Sequence, residues 1–200
     1  MMMAATDQAR IGPNAVILVA AAVAEQLGAG AACEVMLAAG LGAYVRTPPR
    51  HMVDEREVIA LHTVLRERLQ PATMSEVARA AGSATGDYLL KHRIPRLAQG
   101  LLRALPAPLA APLLLGALRR HAWTFAGSGD FRAQTGRPLV ISIENCPICR
   151  GAHATRPLCG YYTATFRRLF TRLVHRHARV RETACQAAGA IDCRFEIDWD

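Results

Sequence analysis

The chain has 200 residues, 52% of them hydrophobic and 20% charged, with a formal net charge of +8. That length suits one sizeable domain rather than two, and that balance excludes a disordered chain. The positive charge suits an acidic partner, but its arginines are scattered and no RNP, zinc-knuckle or helix-turn-helix pattern interleaves with them, which argues against nucleic acid and leaves anionic lipid headgroups or a carboxylate-bearing ligand.

Residues 1–10 read as a loose tail. Pro13, in Ile11-Gly12-Pro13-Asn14, opens a helix that the apolar, Ala-rich run 15–27 continues, because proline fits a first helical turn. A second helix is expected over 31–41, ended by Gly40 and Gly42, and 47–50 is a Pro-rich loop. Residues 54–69 place Val58, Leu61, Val64, Leu65 and Leu69 on one helical face. Further helix is expected over 75–81, with Ser75 as its cap, and again from Gly86 towards His92, where Pro95 interrupts it. Helical pieces over 97–105 and 109–121 are separated by Pro106-Ala107-Pro108. After Trp123 the pattern changes. Gly127-Ser128-Gly129 is a turn, 138–143 a strand and 146–159 a loop. Residues 161–177 form an amphipathic helix, with Phe166, Leu169, Phe170, Leu173 and Val174 inward and Arg167, Arg168, Arg172 and Arg176 outward. Strands over 179–185 and 192–197 flank a final turn. The pattern predicts an α+β fold, helical over 11–122, with a small antiparallel sheet and a long amphipathic helix over 123–198.

No run reaches the roughly 18 apolar residues that a spanning helix needs. The longest uncharged stretch, 104–118, contains Pro106, Pro108 and Pro112, and is suited to lying on a membrane surface rather than crossing it. The first residues, 1–7, lack a basic segment followed by an apolar one, so no secretory signal is read and a reducing cytoplasm is expected. In that compartment clustered cysteines read as metal ligands before disulfides.

The six cysteines are Cys33, Cys146, Cys149, Cys159, Cys185 and Cys193. Cys159, Glu182, Cys185 and Cys193 stand apart, with gaps of 22, two and seven residues between them. Three thiolates and a carboxylate suit a tetrahedral Zn²⁺. Singly, each has an ordinary alternative: a buried cysteine is often just a small apolar residue, and Glu182 an exposed strand residue. The set also carries a geometric difficulty. Glu182 and Cys185 have opposite strand parity, so they share a face only across a bulge or a strand end. Cys146-Pro147-Ile148-Cys149 supplies alternative ligands. This pair could hold a separate metal, replace Glu182 at the first, or be two ordinary loop thiols.

The run Leu158-Cys159-Gly160-Tyr161-Tyr162-Thr163-Ala164-Thr165-Phe166, followed by Arg181-Glu182-Thr183-Ala184-Cys185 and on through Asp192-Cys193-Arg194-Phe195, resembles the 4-vinyl reductase domain over about 125–197. A similar pattern occurs in the sensory domains of phenol-responsive bacterial activators, where the matching Cys, Glu, Cys and Cys bind zinc. The resemblance thus implies Cys159, Glu182, Cys185 and Cys193 as ligands of a structural zinc. The segments 9–15, 86–95 and 122–129 are similar to the J-type proteins of bacteriochlorophyll biosynthesis in purple phototrophs, a family named for reducing the 8-vinyl group of divinyl protochlorophyllide. Together the two resemblances cover nearly the whole chain. They imply a helical part packed on a 4-vinyl-reductase-type core, a fold often used as a dimer in ligand sensing and trafficking.

The family name implies an oxidoreductase, yet no G-x-G-x-x-G follows a strand, and vinyl reduction needs a cofactor to carry hydride or electrons. The alternative is a binding protein for a chlorophyllide-type Mg-tetrapyrrole, which needs an apolar cleft and a few polar anchors. His92 and His121 are candidate axial ligands, Trp123 and Phe125 are candidates to stack, and Arg93, Arg119 or Arg120 could pair with a propionate. Their ordinary counterparts are a surface histidine, a core aromatic and a solvated arginine. The expectation is tetrapyrrole binding in support of 8-vinyl reduction. A self-contained reductase is one alternative; a sensing or assembly module working with other bacteriochlorophyll-synthesis enzymes is another.

Overall fold

Proline and glycine punctuate the N-terminal half of the computed structural model, which describes residues 9–199. Of the expected tail, residues 1–8 lie outside the described residues, and Arg10 is already paired in β1 (Arg10–Ile11). Pro13 precedes α1 (Asn14–Leu27). Gly28, at φ +91°, turns the chain directly into α2 (Ala29–Ala38), and Gly40, at φ +76°, follows its end. Both positions need the left-handed conformation that glycine adopts without steric cost. After the short α3 (Ala43–Arg46), β2 (Val53–Asp54) pairs antiparallel with β1. Asp54 then caps α4 (Glu55–Arg68), accepting from the Arg56 amide at 2.9 Å. Glu55 and Glu57 in the first turn and Arg66 and Arg68 in the last complement the helix dipole.

The sequence predicts two helical pieces between 75 and 92, but α5 (Pro71–His92) is one unbroken helix of 22 residues. Interior glycine costs about 1 kcal/mol against alanine, which is why Gly82 and Gly86 read as breaks. Both are buried, at the crossing with α9 (Gly160–Leu173). A Cβ on Gly82 would run into the Tyr161 carbonyl oxygen, and one on Gly86 would sit 2.6 Å from Arg168 Cβ. Close helix packing therefore offsets the weak propensity. Thr165 Oγ1 donates to the Gly82 carbonyl at 2.9 Å, Thr85 Oγ1 and the Tyr161 hydroxyl lie 2.8 Å apart, and Arg168 bridges to Asp87 at 2.7 Å.

Pro95 and Pro106 precede α6 (Arg96–Ala104) and α7 (Ala107–Arg120), and the short α8 (Trp123–Ala126) follows. The remainder is a four-stranded antiparallel sheet of order β3-β4-β6-β5, built from β3 (Asp130–Gln134), β4 (Leu139–Glu144), β5 (Arg179–Ala184) and β6 (Cys193–Asp198). The edge strand β3 is not among the predicted elements, because only Phe131 of its residues is buried and its alternation is too weak to register. α9 lays Tyr162, Phe166 and Phe170 on the sheet, with the Phe166 and Phe195 rings 5.4 Å apart, edge to face. It ends at Leu173 rather than at 177, where its apolar period runs out, so Arg176 lies beyond the helix. α9 thus packs against both the sheet and α5, and α1 packs on α5 in turn. No helix among the described residues is long and apolar enough to cross a membrane.

Candidate metal centre

Four chain segments converge beneath the N-terminus of α9. Cys146 and Cys149 sit in the loop after β4, entered through Asn145 at φ +55°. Cys159 is the N-cap of α9, Cys185 follows β5 at the start of a 3₁₀ turn (Gln186–Ala188), and Cys193 opens β6. All five are buried, while Cys33 lies apart on α2, half-buried. The two loops are tied together, since the Cys146 amide donates to Gln186 Oε1 at 2.8 Å. The register of β5 against β6 shifts between Glu182 and Ala184. That irregularity is what lets Glu182 and Cys185 reach the same centre despite their opposite parity.

The sulfurs lie at ligand spacing. Sγ–Sγ distances are 3.6 Å for Cys146–Cys159, 3.3 Å for Cys149–Cys193, 3.6 Å for Cys159–Cys193 and 3.8 Å for Cys193–Cys185. Glu182 Oε2 accepts from the Cys159 amide at 2.8 Å, while Oε1 is buried with no partner. The donors fall into two groups of four, within each of which all donor atoms lie within 4.8 Å of one another. One group is Cys159, Glu182, Cys185 and Cys193, and the other is Cys146, Cys149, Cys159 and Cys193. The loop pair is thus drawn into the same cluster as the expected set.

Without a cation these groups compete for protons. Burial, and then the Cys185 sulfur beside it, pushes the Glu182 carboxyl up to about 9. Hydrogen bonds among the sulfurs pull Cys149 down and push Cys159 and Cys193 up. A bound cation relieves that competition, since coordination deprotonates a thiol outright. The buried thiols and the orphaned Glu182 oxygen therefore fit a thiophilic metal ion, and a site with four protein donors is closed, which makes it structural rather than catalytic.

The surroundings add charge and bracing that sequence reading missed. Half-buried Arg66 on α4 donates to the Ile148 carbonyl at 2.7 Å, inside the Cys146–Cys149 loop, and feels the sulfurs of Cys149, Cys159 and Cys146. Arg150 donates to Glu55 at 2.8 Å and to the Asn145 carbonyl at 2.6 Å, holding that loop to α4. His62, one turn before Arg66, is fully buried with both ring nitrogens unpartnered, and burial with Arg66 nearby pushes it down to about 3. The i, i+4 spacing of His62 and Arg66 on an apolar face was the only sequence signal for this pair.

A second feature is a cavity of about 380 Å³ at the junction of α5, α9 and the start of α1. Tyr88, Phe125, Tyr161, Tyr162 and Phe166 line it, with His51 and Arg93 among its polar groups. Of the sequence candidates for ligand contact, Arg93 and Phe125 line this cavity. His92 is exposed and stacked on Tyr88 at 4.8 Å, His121 is exposed at the end of α7, and Trp123 is 60% exposed; none of the three is among the cavity's lining residues. Arg119 and Arg120 are likewise exposed and away from it. His51 was not singled out in the sequence, because a lone histidine in a Pro-rich loop carries no periodic signal. A larger cleft of about 710 Å³ runs past Glu182, but its lining is mainly small and charged, including Arg66, Glu76, His153 and Arg156.

The fold and the cysteine cluster define an α+β protein with a 4-vinyl reductase domain, whose family model matches residues 139–198. The chain belongs to the family of the bacteriochlorophyll synthase 23 kDa chains. It is 47% identical to the protein of that name from Cereibacter sphaeroides, over 94% of this chain and 90% of the relative. It is 39% identical to the one from Rhodobacter capsulatus, over 96% and 88% respectively. Among solved structures, an H-NOX protein from S. oneidensis is similar in fold, with a TM-score of 0.51 at 13% identity, covering 94% of this chain and 98% of that one.

Proposed function

We propose that the protein acts in bacteriochlorophyll biosynthesis by binding a chlorophyllide-type tetrapyrrole, at or near the 8-vinyl reduction step. The observation that carries this reading is the aromatic-lined cavity with His51 and Arg93 among its lining residues. Its volume falls in the lower part of the range for small-molecule sites, so it would take a tetrapyrrole edge first and leave part of the ring exposed. Phe125 offers a stacking face, Arg93 a partner for a propionate and His51 an imidazole for the magnesium. The family relationship supports the pathway, and the relatives' name, as chains of a synthase, supports work alongside other bacteriochlorophyll-synthesis enzymes.

The cysteine cluster is proposed to hold zinc, which prefers sulfur and nitrogen ligands in tetrahedral sets. Zinc there would tie the start of α9 to the last two strands, and its binding energy would be folding energy. Peripheral membrane contact has its own support. Leu97, Leu101, Leu109 and Leu113 on α6 and α7 and Trp123 are exposed, with Arg96, Arg103, Arg119 and Arg120 exposed on the same segment. Flotation with anionic vesicles, lost on replacing Leu97 and Leu101 by serine, would test it.

The deciding experiment is anaerobic incubation of the purified protein with divinyl protochlorophyllide, with and without NADPH, followed by absorbance and pigment chromatography. A shifted spectrum and co-elution without conversion are expected. Conversion to the monovinyl product would make the protein a self-contained reductase. No shift and no conversion would move it to a sensing or assembly role.

A further inference from the structure

We propose that the cysteine cluster is a binuclear zinc centre in which Cys159 and Cys193 bridge two ions. The two four-donor groups share two members, Cys159 and Cys193, and each adds a private pair, Cys146 with Cys149 on one side and Glu182 with Cys185 on the other. Six donors with two in common are what two tetrahedra sharing an edge require. A single ion would use four of the six and leave two buried donors without a partner, a costly arrangement for polar groups removed from water.

Geometry and charge agree with this count. A Zn–S bond of about 2.3 Å implies tetrahedral edges of about 3.8 Å. The shared edge, Cys159–Cys193, measures 3.6 Å, and the private sulfurs reach it at 3.6 Å from Cys146, 3.3 Å from Cys149 and 3.8 Å from Cys185. Glu182 contributes Oε1, its other oxygen being engaged by the Cys159 amide. A thiolate has lone pairs enough to bind two cations, so bridging needs no further ligand. Five thiolates and a carboxylate outweigh two dications by two negative charges. The half-buried Arg66 guanidinium, lying among the sulfurs, offsets part of that excess. A lone ion would leave a larger negative excess in the same buried space. One ion would be held by four sulfurs, the other by three sulfurs and an oxygen.

The proposal presupposes that the cluster binds zinc, and the test separates the two ideas. The full chain is purified anaerobically, given excess Zn²⁺, desalted and counted by native mass spectrometry. Two ions per chain are expected. C146S/C149S together, and C185S alone, should each fall to one ion, whereas C159S or C193S should lose both. Cadmium-113 exchange should give two resonances, one of four-sulfur character and one displaced by the oxygen ligand. This readout needs only the wild-type chain if a variant fails to fold. One ion in the wild type, unchanged in C146S/C149S, would overturn the bridge and leave a single zinc site. No zinc would overturn both ideas, as would iron with acid-labile sulfide.

Discussion

The cysteine centre and the aromatic cavity lie against the same helix, α9, and are built by opposite means. The centre gathers donors from four segments into a buried knot whose members repel or compete until a cation is added. The cavity gathers apolar rings that need nothing bound to be stable, with few polar groups among them. The first is a place where ligand binding is folding; the second is a place where folding leaves room for a ligand. Loss of the metal should therefore damage the whole molecule, and changes at the cavity should damage binding alone.

The largest expected effect comes from removing the metal. Structural zinc contributes roughly 10–16 kcal/mol in small zinc-dependent peptides, so a strong chelator or Cys193→Ser should abolish cooperative thermal unfolding. A chelated protein that melts like the untreated one would show that the centre is dispensable. Next comes the helix crossing that carries both sites. Gly82→Ala forces a methyl against the Tyr161 backbone, and overpacking costs about 1–3 kcal/mol. Urea midpoints should fall accordingly, whereas Gly100→Ala, with no neighbour within reach of its Cβ, should be neutral or slightly stabilising.

At the cavity, Arg93→Ala should weaken pigment binding by about tenfold or more, the worth of a charge-assisted hydrogen bond of roughly 1.5–3 kcal/mol. His51→Ala should shift the bound pigment's absorption. Neither should move the melting temperature, and a matching loss of stability would erase the proposed division between the two regions. The smallest effect belongs to Glu55, which accepts from Arg150 and from Ser128. Burial raises its pKa, but the hydrogen bonds from Arg150 and Ser128 prevail and hold it below the ordinary glutamate value of 4.5. Its stabilisation is thus fully present above that value and is lost as pH falls through the lower, folded-state value. Glu55→Gln should cost about 1 kcal/mol at neutral pH, and the difference from wild type should shrink in acid, as read from denaturant midpoints across that range.

Much of this was legible in one dimension. Pro13, Pro95 and Pro106 mark helix starts, and the stripe of Phe166, Leu169, Phe170 and Leu173 marks the face of α9 that meets the sheet. The spacing of Cys159, Glu182, Cys185 and Cys193 singled out residues that do meet, down to the need for a bulge between Glu182 and Cys185. These features are local, or repeat with the period of their own element, and so are written in consecutive residues. Tertiary structure alone decided the rest. Gly82 and Gly86 look like helix breaks until α9 is laid across them. Cys146 and Cys149 look like an isolated pair until the strands on which their loop hangs bring it to Cys193. His51, His62 and Arg66 acquire meaning only from neighbours far away in the chain. The physical reason is the same each time: propensity and periodicity act within a few residues, whereas packing space, ligand geometry and the burial of charge depend on which distant segments share a volume.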